Sequence, residues 1–369
     1  MQAFSRRKLL VSASIAFLTL PAFSSLAFAC MGCEMLKHPG CVVTFSPDGK
    51  FLASANSYKR TGQGLVYRKT FEIWQVPKLN LWKRLSEGQM VYTIAFSPDG
   101  KLLAIGGQNG FVSLWKLPEV KRLKRFKINR ATIWHRLSNY IRSIAFSPDG
   151  KLLAAGTRNG EIYLWDLTKG RLVSVLSTNK GIGRTVASVA FSPDGKKLVA
   201  LLEDGRLFQI WQFSKRQLLG EWEHNVNCFQ VAFSADGRKI VGAGYSFIVC
   251  DASNGKAITK NHLTDYYSPP GGVSLDGRYV AMIAHSGTSV KVCRTSDLKE
   301  IWRKENHSLK LMLSLNRWAE GVEKRLGLPA TKFFPYPKIP FAFSFAFSKD
   351  NRWLALGFDD GGIRIWRIK

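Results

Sequence analysis

The chain is 369 residues long, with 54 Lys and Arg against 26 Asp and Glu, a formal net charge of +28. A surface of that sign attracts polyanions and acidic partners in a salt-dependent way. The sequence holds no HExxH, GxSxG or P-loop motif and no paired-carboxylate motif in a setting that suits catalysis, which sets aside the enzyme classes those motifs mark.

Residues 1–29 differ in kind from the rest. "MQAFSRRKLL" is basic, an apolar run then reaches "SSLAFA", and no acidic residue precedes Glu34. This is the anatomy of a signal peptide, with Ala27-Phe28-Ala29 as the cleavage site before Cys30. Ser5-Arg6-Arg7-Lys8-Leu9-Leu10 resembles a twin-arginine export motif, with Leu9 where that pattern has Phe; an ordinary Sec signal is the alternative. Either route implies export, to a bacterial periplasm or cell envelope. Pro21 and the nearby serines interrupt the apolar run, so no transmembrane span is expected in the mature chain, residues 30–369. Cys30 directly after the cut raises a lipoprotein reading, against which Ala27 stands where a lipobox has Leu. Cys30 and Cys33 in "CMGC" resemble a redox or metal pair, but no second ligand pair follows at metal-site spacing.

From Phe45 onward one turn returns again and again. "FSPDGK" begins at Phe45, Phe96, Phe146 and Phe191, with "FSADGR" at Phe233, "VSLDGR" at Val273 and "FSKDNR" at Phe347. Ser bonds to the turn backbone, Pro presets φ, Asp suits the third place and Gly takes positive φ, so each copy joins two strands. The flanks, such as "VYTIAF" and "KLLAIGG", are β-branched, aromatic and small. A third strand with Trp follows in five copies, at Trp74, Trp115, Trp165, Trp211 and Trp366. Seven copies, mostly about 40 to 50 residues apart, match the period of a four-stranded propeller blade.

The turn, the small-residue second strand and the Trp third strand, with "LWDL" and its Asp166 nearest the signature, resemble the WD-repeat (WD40) β-propeller family over roughly residues 33–369. TolB-type propellers share the turn; the five tryptophans favour the WD type. The resemblance implies an all-β fold, a seven-bladed β-propeller of four-stranded antiparallel blades. It departs from the family in lacking the Gly-His dipeptide before the first strand. Only His224 stands at about the right distance, and the acidic position before the Trp is Asp360 in the last copy but Asn109 and Asn159 elsewhere. The buried polar tetrad of the family is therefore expected to be incomplete. Because the chain ends after a third strand, the outer strand of blade seven is expected from residues ~33–38, paired with ~362–368.

Two departures from repetition carry charge or apolar surface. "SYKRTGQGLVYRK" extends the link between strands two and three of blade one, and is read as a loop; "EVKRLKRFKINR" covers the outer strand of blade two, where Lys and Arg also guard a sheet edge. Between blades six and seven, an insertion at about 306–340 places Leu311, Leu315, Trp318, Val322 and Leu326 at helical spacing, so one helical insertion is expected. In the family the strand 2–3 loops and the 4–1 links open on one face. Lys59, Arg60, Arg68, Lys69, Arg317, Trp318 and Phe334 are therefore the candidate partner-binding residues on a shared rim.

Cys250 and Cys293 stand where other copies have Trp, and Cys228 opens a first strand; all three are expected to be packed in the core. His38, His135, His224, His262 and His307 all precede or approach first strands, which keeps open a copper-type or redox propeller enzyme. Their other reading is as relics of the family's pre-strand His. No catalytic residue, metal ligand or cofactor is assigned. The expected role is a non-catalytic interaction scaffold of the cell envelope, binding a protein or an anionic envelope or membrane surface, and not nucleic acid.

Overall fold

In the computed structural model the described residues are 34–36, 42–55, 58–61, 64–128, 140–178, 185–202, 206–226, 228–244, 246–262, 271–284, 289–305, 342–358 and 362–368. The chain divides into two compact units. One comprises residues 33–303 and 338–369; the other, 1–32 and 304–337, lies outside the described residues except for Lys304 and Glu305. The signal peptide and the expected helix of the 306–340 insertion thus fall outside them, as does Asp360. Among the described residues no helix is long and apolar enough to cross a membrane.

The larger unit is all-β, with one 3-10 turn, Phe213–Lys215, as its helical element among the described residues. Strand β1 (Glu34–Leu36) is followed by blade 1, made of β2 (Val42–Phe45), β3 (Phe51–Ala55), β6 (Thr70–Gln75) and β7 (Asn80–Ser86). Between β3 and β6 stands a hairpin of β4 (Tyr58–Thr61) and β5 (Gly64–Tyr67), where a loop was expected: Lys59 pairs with Val66 and Arg60 with Leu65. Blade 2 is β8 (Val91–Phe96), β9 (Leu102–Gly107), β10 (Phe111–Lys116) and β11 (Lys121–Lys127); blade 3 is β12 (Ile141–Phe146), β13 (Leu152–Thr157), β14 (Glu161–Asp166) and β15 (Arg171–Ser177). Blade 4 is β16 (Val186–Phe191), β17 (Leu198–Leu202), β18 (Leu207–Gln212) and β19 (Gln217–Glu223); blade 5 is β20 (Cys228–Phe233), β21 (Lys239–Gly244), β22 (Ser246–Asp251) and β23 (Ala257–His262). Blade 6 is β24 (Gly272–Val273), β25 (Tyr279–Ala284), β26 (Ser289–Arg294) and β27 (Glu300–Glu305). Blade 7 takes β28 (Ala342–Phe347), β29 (Trp353–Phe358) and β30 (Ile363–Arg367), and borrows β1 as its outer strand. The register is Glu34 to Ile365, Met35 to Arg364 and Leu36 to Ile363, as the sequence led one to expect.

First strands touch in a closed circuit: β2 meets β8, then β12, β16, β20, β24 and β28 follow in turn, and β28 returns to β2. Side chains on these strands stitch one blade to the next. The Ser344 hydroxyl accepts from the Val43 N–H at 3.0 Å across the closure, Ser143 does so for Val189 at 3.0 Å, and the Gln230 amide oxygen for Val273 at 2.9 Å. The repeated turn is built as its residues demand. In blade 2, Ser97 Oγ donates to Asp99 Oδ1 at 2.6 Å, Asp99 accepts from the Lys101 N–H at 3.0 Å, and Gly100 takes φ 72°. A Cβ on Gly100 would lie 3.6 Å from Pro47 of the preceding turn, so successive turns abut around one face.

The core lies between blades rather than within one. Phe71 and Ile73 of blade 1 pack with Val91, Ile94, Leu103 and Trp115 of blade 2, and Phe71 meets Trp115 edge-on at 5.2 Å. Each Trp therefore anchors its blade to the one before, a contact whose loss to Ala costs about 3–5 kcal/mol. Small second strands let the next blade approach: a Cβ on Gly156 would sit 2.5 Å from Val186 Cγ1.

In blade 2 a different polar network stands where the family tetrad was expected to be incomplete. Glu87 is buried and takes the place of the family His. Its carboxylate accepts from Trp115 Nε1 at 3.0 Å and from the Ser113 hydroxyl, and it pairs with Arg125 at 3.2 Å. Arg125 also donates to Ser113 Oγ at 3.1 Å, which closes the network. Other blades improvise. Trp74 Nε1 donates to Ser54 Oγ at 3.0 Å, and Trp211 Nε1 to Gln209 Oε1 at 3.1 Å, whereas Trp366 Nε1 is buried without an acceptor among the described residues. Asp166 works outside the core, accepting from the N–H groups of Thr168 and Lys169 at 2.9 and 3.0 Å to shape the turn before β15.

Candidate interaction face

The two ends of the blades are chemically distinct. At one end the strand 2–3 loops meet the links between blades: the Asn109 N–H donates to Gln89 Oε1 at 3.0 Å, and the Arg158 N–H to the Tyr140 carbonyl at 2.9 Å. The other end carries the Ser-Asp-Gly turns, tied to the strand 3–4 turns by bonds such as Leu117 N–H to the Lys101 carbonyl at 2.8 Å.

The blade 1 hairpin with Lys59 and Arg60 springs from the first of these faces. Arg68 is half-buried and Lys69 exposed at its return, where the Lys69 carbonyl accepts from the Glu87 N–H at 2.7 Å. The hairpin base is thus fixed beside the buried network of blade 2. Arg317, Trp318 and Phe334 lie outside the described residues, and so does the rim they were expected to complete.

A second cluster on this face was not anticipated. Tyr92, second in β8, and Tyr140, just before β12, place their rings 5.5 Å apart at 58°. The Arg142 guanidinium lies 5.7 Å over Tyr92, and that of Arg158 lies 5.4 Å over Tyr140. Both arginines are exposed and both tyrosines half-buried. Neither arginine has a carboxylate within ion-pair distance among the described residues. One faint signal was present in the sequence: Tyr92 and Arg142 both stand four places before the Phe of the repeat, where blade 4 has Ala187.

The basic run of blade 2 belongs to the structure of the blade. In β11, Arg122 lies 5.6 Å over Trp115, Lys124 donates to the Gly170 carbonyl of blade 3 at 2.6 Å, and Arg125 pairs with Glu87. Aromatic contact and edge capping absorb these cations.

His224 packs between blades 4 and 5. Its Nε2 lies 3.3 Å from Cys250 Sγ and its ring meets Phe208 edge-on at 5.7 Å. It stands nine residues before Phe233, as Glu87 stands nine before Phe96. His38, His135 and His307 fall outside the described residues, and among those described no group of three metal-ligating side chains gathers. Cys228, Cys250 and Cys293 are buried, in keeping with their reading as core residues. Burial pushes the Cys250 thiol up to about 12 and raises Cys228 and Cys293 as well.

Comparison with known proteins adds to this geometry. Residues 70–259, just over half of the chain, match the profile of the β-propeller described as nucleolar protein 10-like, N-terminal domain, and residues 341–367 match the WD domain, G-beta repeat. Protein HIR1 of Candida albicans is 28% identical over 117 residues, 27% of this chain and 12% of that protein. U3 small nucleolar RNA-associated protein 18 of Saccharomyces cerevisiae is 38% identical over 76 residues, 20% of this chain and 12% of that protein. The chain thus spans only a small part of the length of these curated relatives. By its seven WD-type blades and by the match over residues 70–259, it belongs to the nucleolar protein 10-like family of β-propellers.

Proposed function

We propose that this chain is an exported, non-catalytic interaction propeller of the cell envelope, which holds a protein partner on the face carrying the strand 2–3 loops. The observation that carries the reading is the Tyr92–Tyr140 pair with Arg142 and Arg158 laid over it, exposed cations held in place by aromatic rings. The hairpin with Lys59 and Arg60, and Arg68 and Lys69 at its base, springs from the same face. Such preorganised side chains suit recognition, because little freedom is lost when a partner binds. The fold itself hosts many functions, so the site and not the architecture bears the weight.

Export is part of the proposal and rests on residues 1–29. It places the partner among envelope proteins, or on an anionic envelope surface, rather than on nucleic acid. The names of the relatives, one of them RNA-associated, come from matches confined to a few repeats. A photo-crosslinking residue at Lys69 or Gln108 tests the face, with Lys101 and Lys151 on the opposite face as controls. Partner capture from the first pair alone is expected; equal capture from both faces overturns the reading. Replacing Arg6 and Arg7 by Lys tests the route, since cytoplasmic retention of the variant is expected for twin-arginine export.

A further inference from the structure

The Tyr–Arg cluster is more specific than a basic patch. Each ring has a guanidinium over one face and the neighbouring ring close by, so the tyrosines act as supports rather than open platforms. Nucleic-acid strands bound by stacking need bare aromatic faces. What this cluster leaves available are the guanidinium N–H groups, whose fork geometry matches a carboxylate with two parallel hydrogen bonds. Laying a guanidinium on a ring fixes its plane and reduces the freedom lost on binding.

The backbone holds the two arginines apart and in register. Arg142 is anchored in β12, and Arg158 follows β13, its N–H bonded to the Tyr140 carbonyl and its own carbonyl accepting from the Thr185 hydroxyl at 3.3 Å. Each guanidinium lies over a different ring of the pair. An extended peptide advances about 3.4 Å per residue, so carboxylates about two to four residues apart bracket the spacings to be tested. Among the described residues no carboxylate pairs with either arginine, and the turn aspartates Asp99 and Asp149 are held by Ser97 and Ser147 on the opposite face.

We propose that Arg142 and Arg158, braced by Tyr92 and Tyr140, form a binding site for an extended acidic peptide segment of a partner protein, each guanidinium taking one carboxylate. This rests on the reading of the loop face as the partner face, and names the chemistry that the face recognises.

The test uses the full chain and fluorescent Gly-Ser peptides bearing two glutamates two, three or four places apart. Glutamine and phosphoserine counterparts and an oligouridylate serve as competitors. Binding of the glutamate peptides is expected, weakened by about tenfold or more in Arg142→Gln or Arg158→Gln, and weakened also by Arg→Lys, since an ammonium lacks the planar fork. Lys101→Gln or Lys151→Gln removes the same single charge from the other face and is expected to leave binding unchanged. Equal loss in that control, equal binding of the glutamine peptide, or preference for phosphoserine or oligouridylate overturns the proposal. If crosslinking at Lys69 persists while these peptides fail to bind, the acidic-peptide site falls and the loop-face reading stands.

Discussion

The indole N–H of Trp115 donates to the carboxylate of Glu87 over 3.0 Å inside blade 2, joining the link before β8 to the third strand. Because Glu87 is buried and also holds Ser113 and Arg125, removing its side chain leaves the Trp115 and Ser113 donors without their acceptor and strips Arg125 of its ion pair. Glu87→Ala is expected to cost about 2–4 kcal/mol, read as a lower urea midpoint with an unchanged slope. Glu87→His, restoring the family residue, is expected to cost less. Trp366 supplies the contrast. Its N–H has no acceptor among the described residues, so Trp366→Phe is expected to cost less than Trp115→Phe, which abandons Glu87; equal costs would show that the indole bond contributes nothing.

The turn aspartates give the fold an acid limit. Hydrogen bonds from Ser97, Ser147, Ser192 and Ser234 hold Asp99, Asp149, Asp194 and Asp236 below the ordinary carboxylate value of 3.8. A depressed folded pKa contributes stability that is complete above the unfolded pKa and is lost as pH falls through the folded one. Urea midpoints are therefore expected to hold steady down to about pH 5 and then fall below about pH 4. Replacing Asp99, Asp149 and Asp194 together by Asn should flatten that fall, while a variant with the wild-type acid slope would assign it to other groups.

Ring closure by β1 makes a positional prediction. An edge strand bonds its neighbour through alternate N–H groups, so proline is tolerated only where the N–H points away from the sheet. Proline placed in turn at Glu34, Met35 and Leu36 should therefore alternate between a loss of about 3 kcal/mol and little effect. Uniform tolerance, measured by thermal unfolding, would mean that the pairing with Ile363–Ile365 does not close the ring.

Burial decides the chemistry of the internal cysteines. With their thiols raised by desolvation, Cys228, Cys250 and Cys293 are expected to resist a thiol reagent in the native state near neutral pH and to react fully after denaturation. Rapid native-state labelling of Cys250 would contradict its packing beside His224.

What was legible in the sequence is what lies within a few residues. The Ser97–Asp99–Gly100 turn encodes its own geometry, and seven such turns with their tryptophans imply the blades. Glu87 was hidden because any buried acceptor can serve Trp115, and a carboxylate in "LSEGQM" resembles surface. The Tyr92–Tyr140 contact was hidden for a different reason, since it joins residues of neighbouring blades whose side-chain directions only the packed ring defines. The β4–β5 hairpin escaped because Lys59 and Arg60 carry no apolar alternation that marks a strand.

That hairpin also carries the test of the long-range field. Lys59 and Arg60 stand on β4 of the hairpin, and Arg68 and Lys69 follow it at its return. Net charge acts on encounter over about a Debye length, about 8 Å at physiological salt. Reversing all four to Glu changes the net charge by eight and is expected to slow association with anionic vesicles or envelope fractions and to weaken its salt dependence. The same number of reversals at Lys50, Lys101, Lys151 and Lys196, on the opposite face, separates local from global charge. If both sets reduce retention equally, the total of +28 is responsible and the hairpin has no special part; if only the hairpin set does, its charges guide the approach to the loop face.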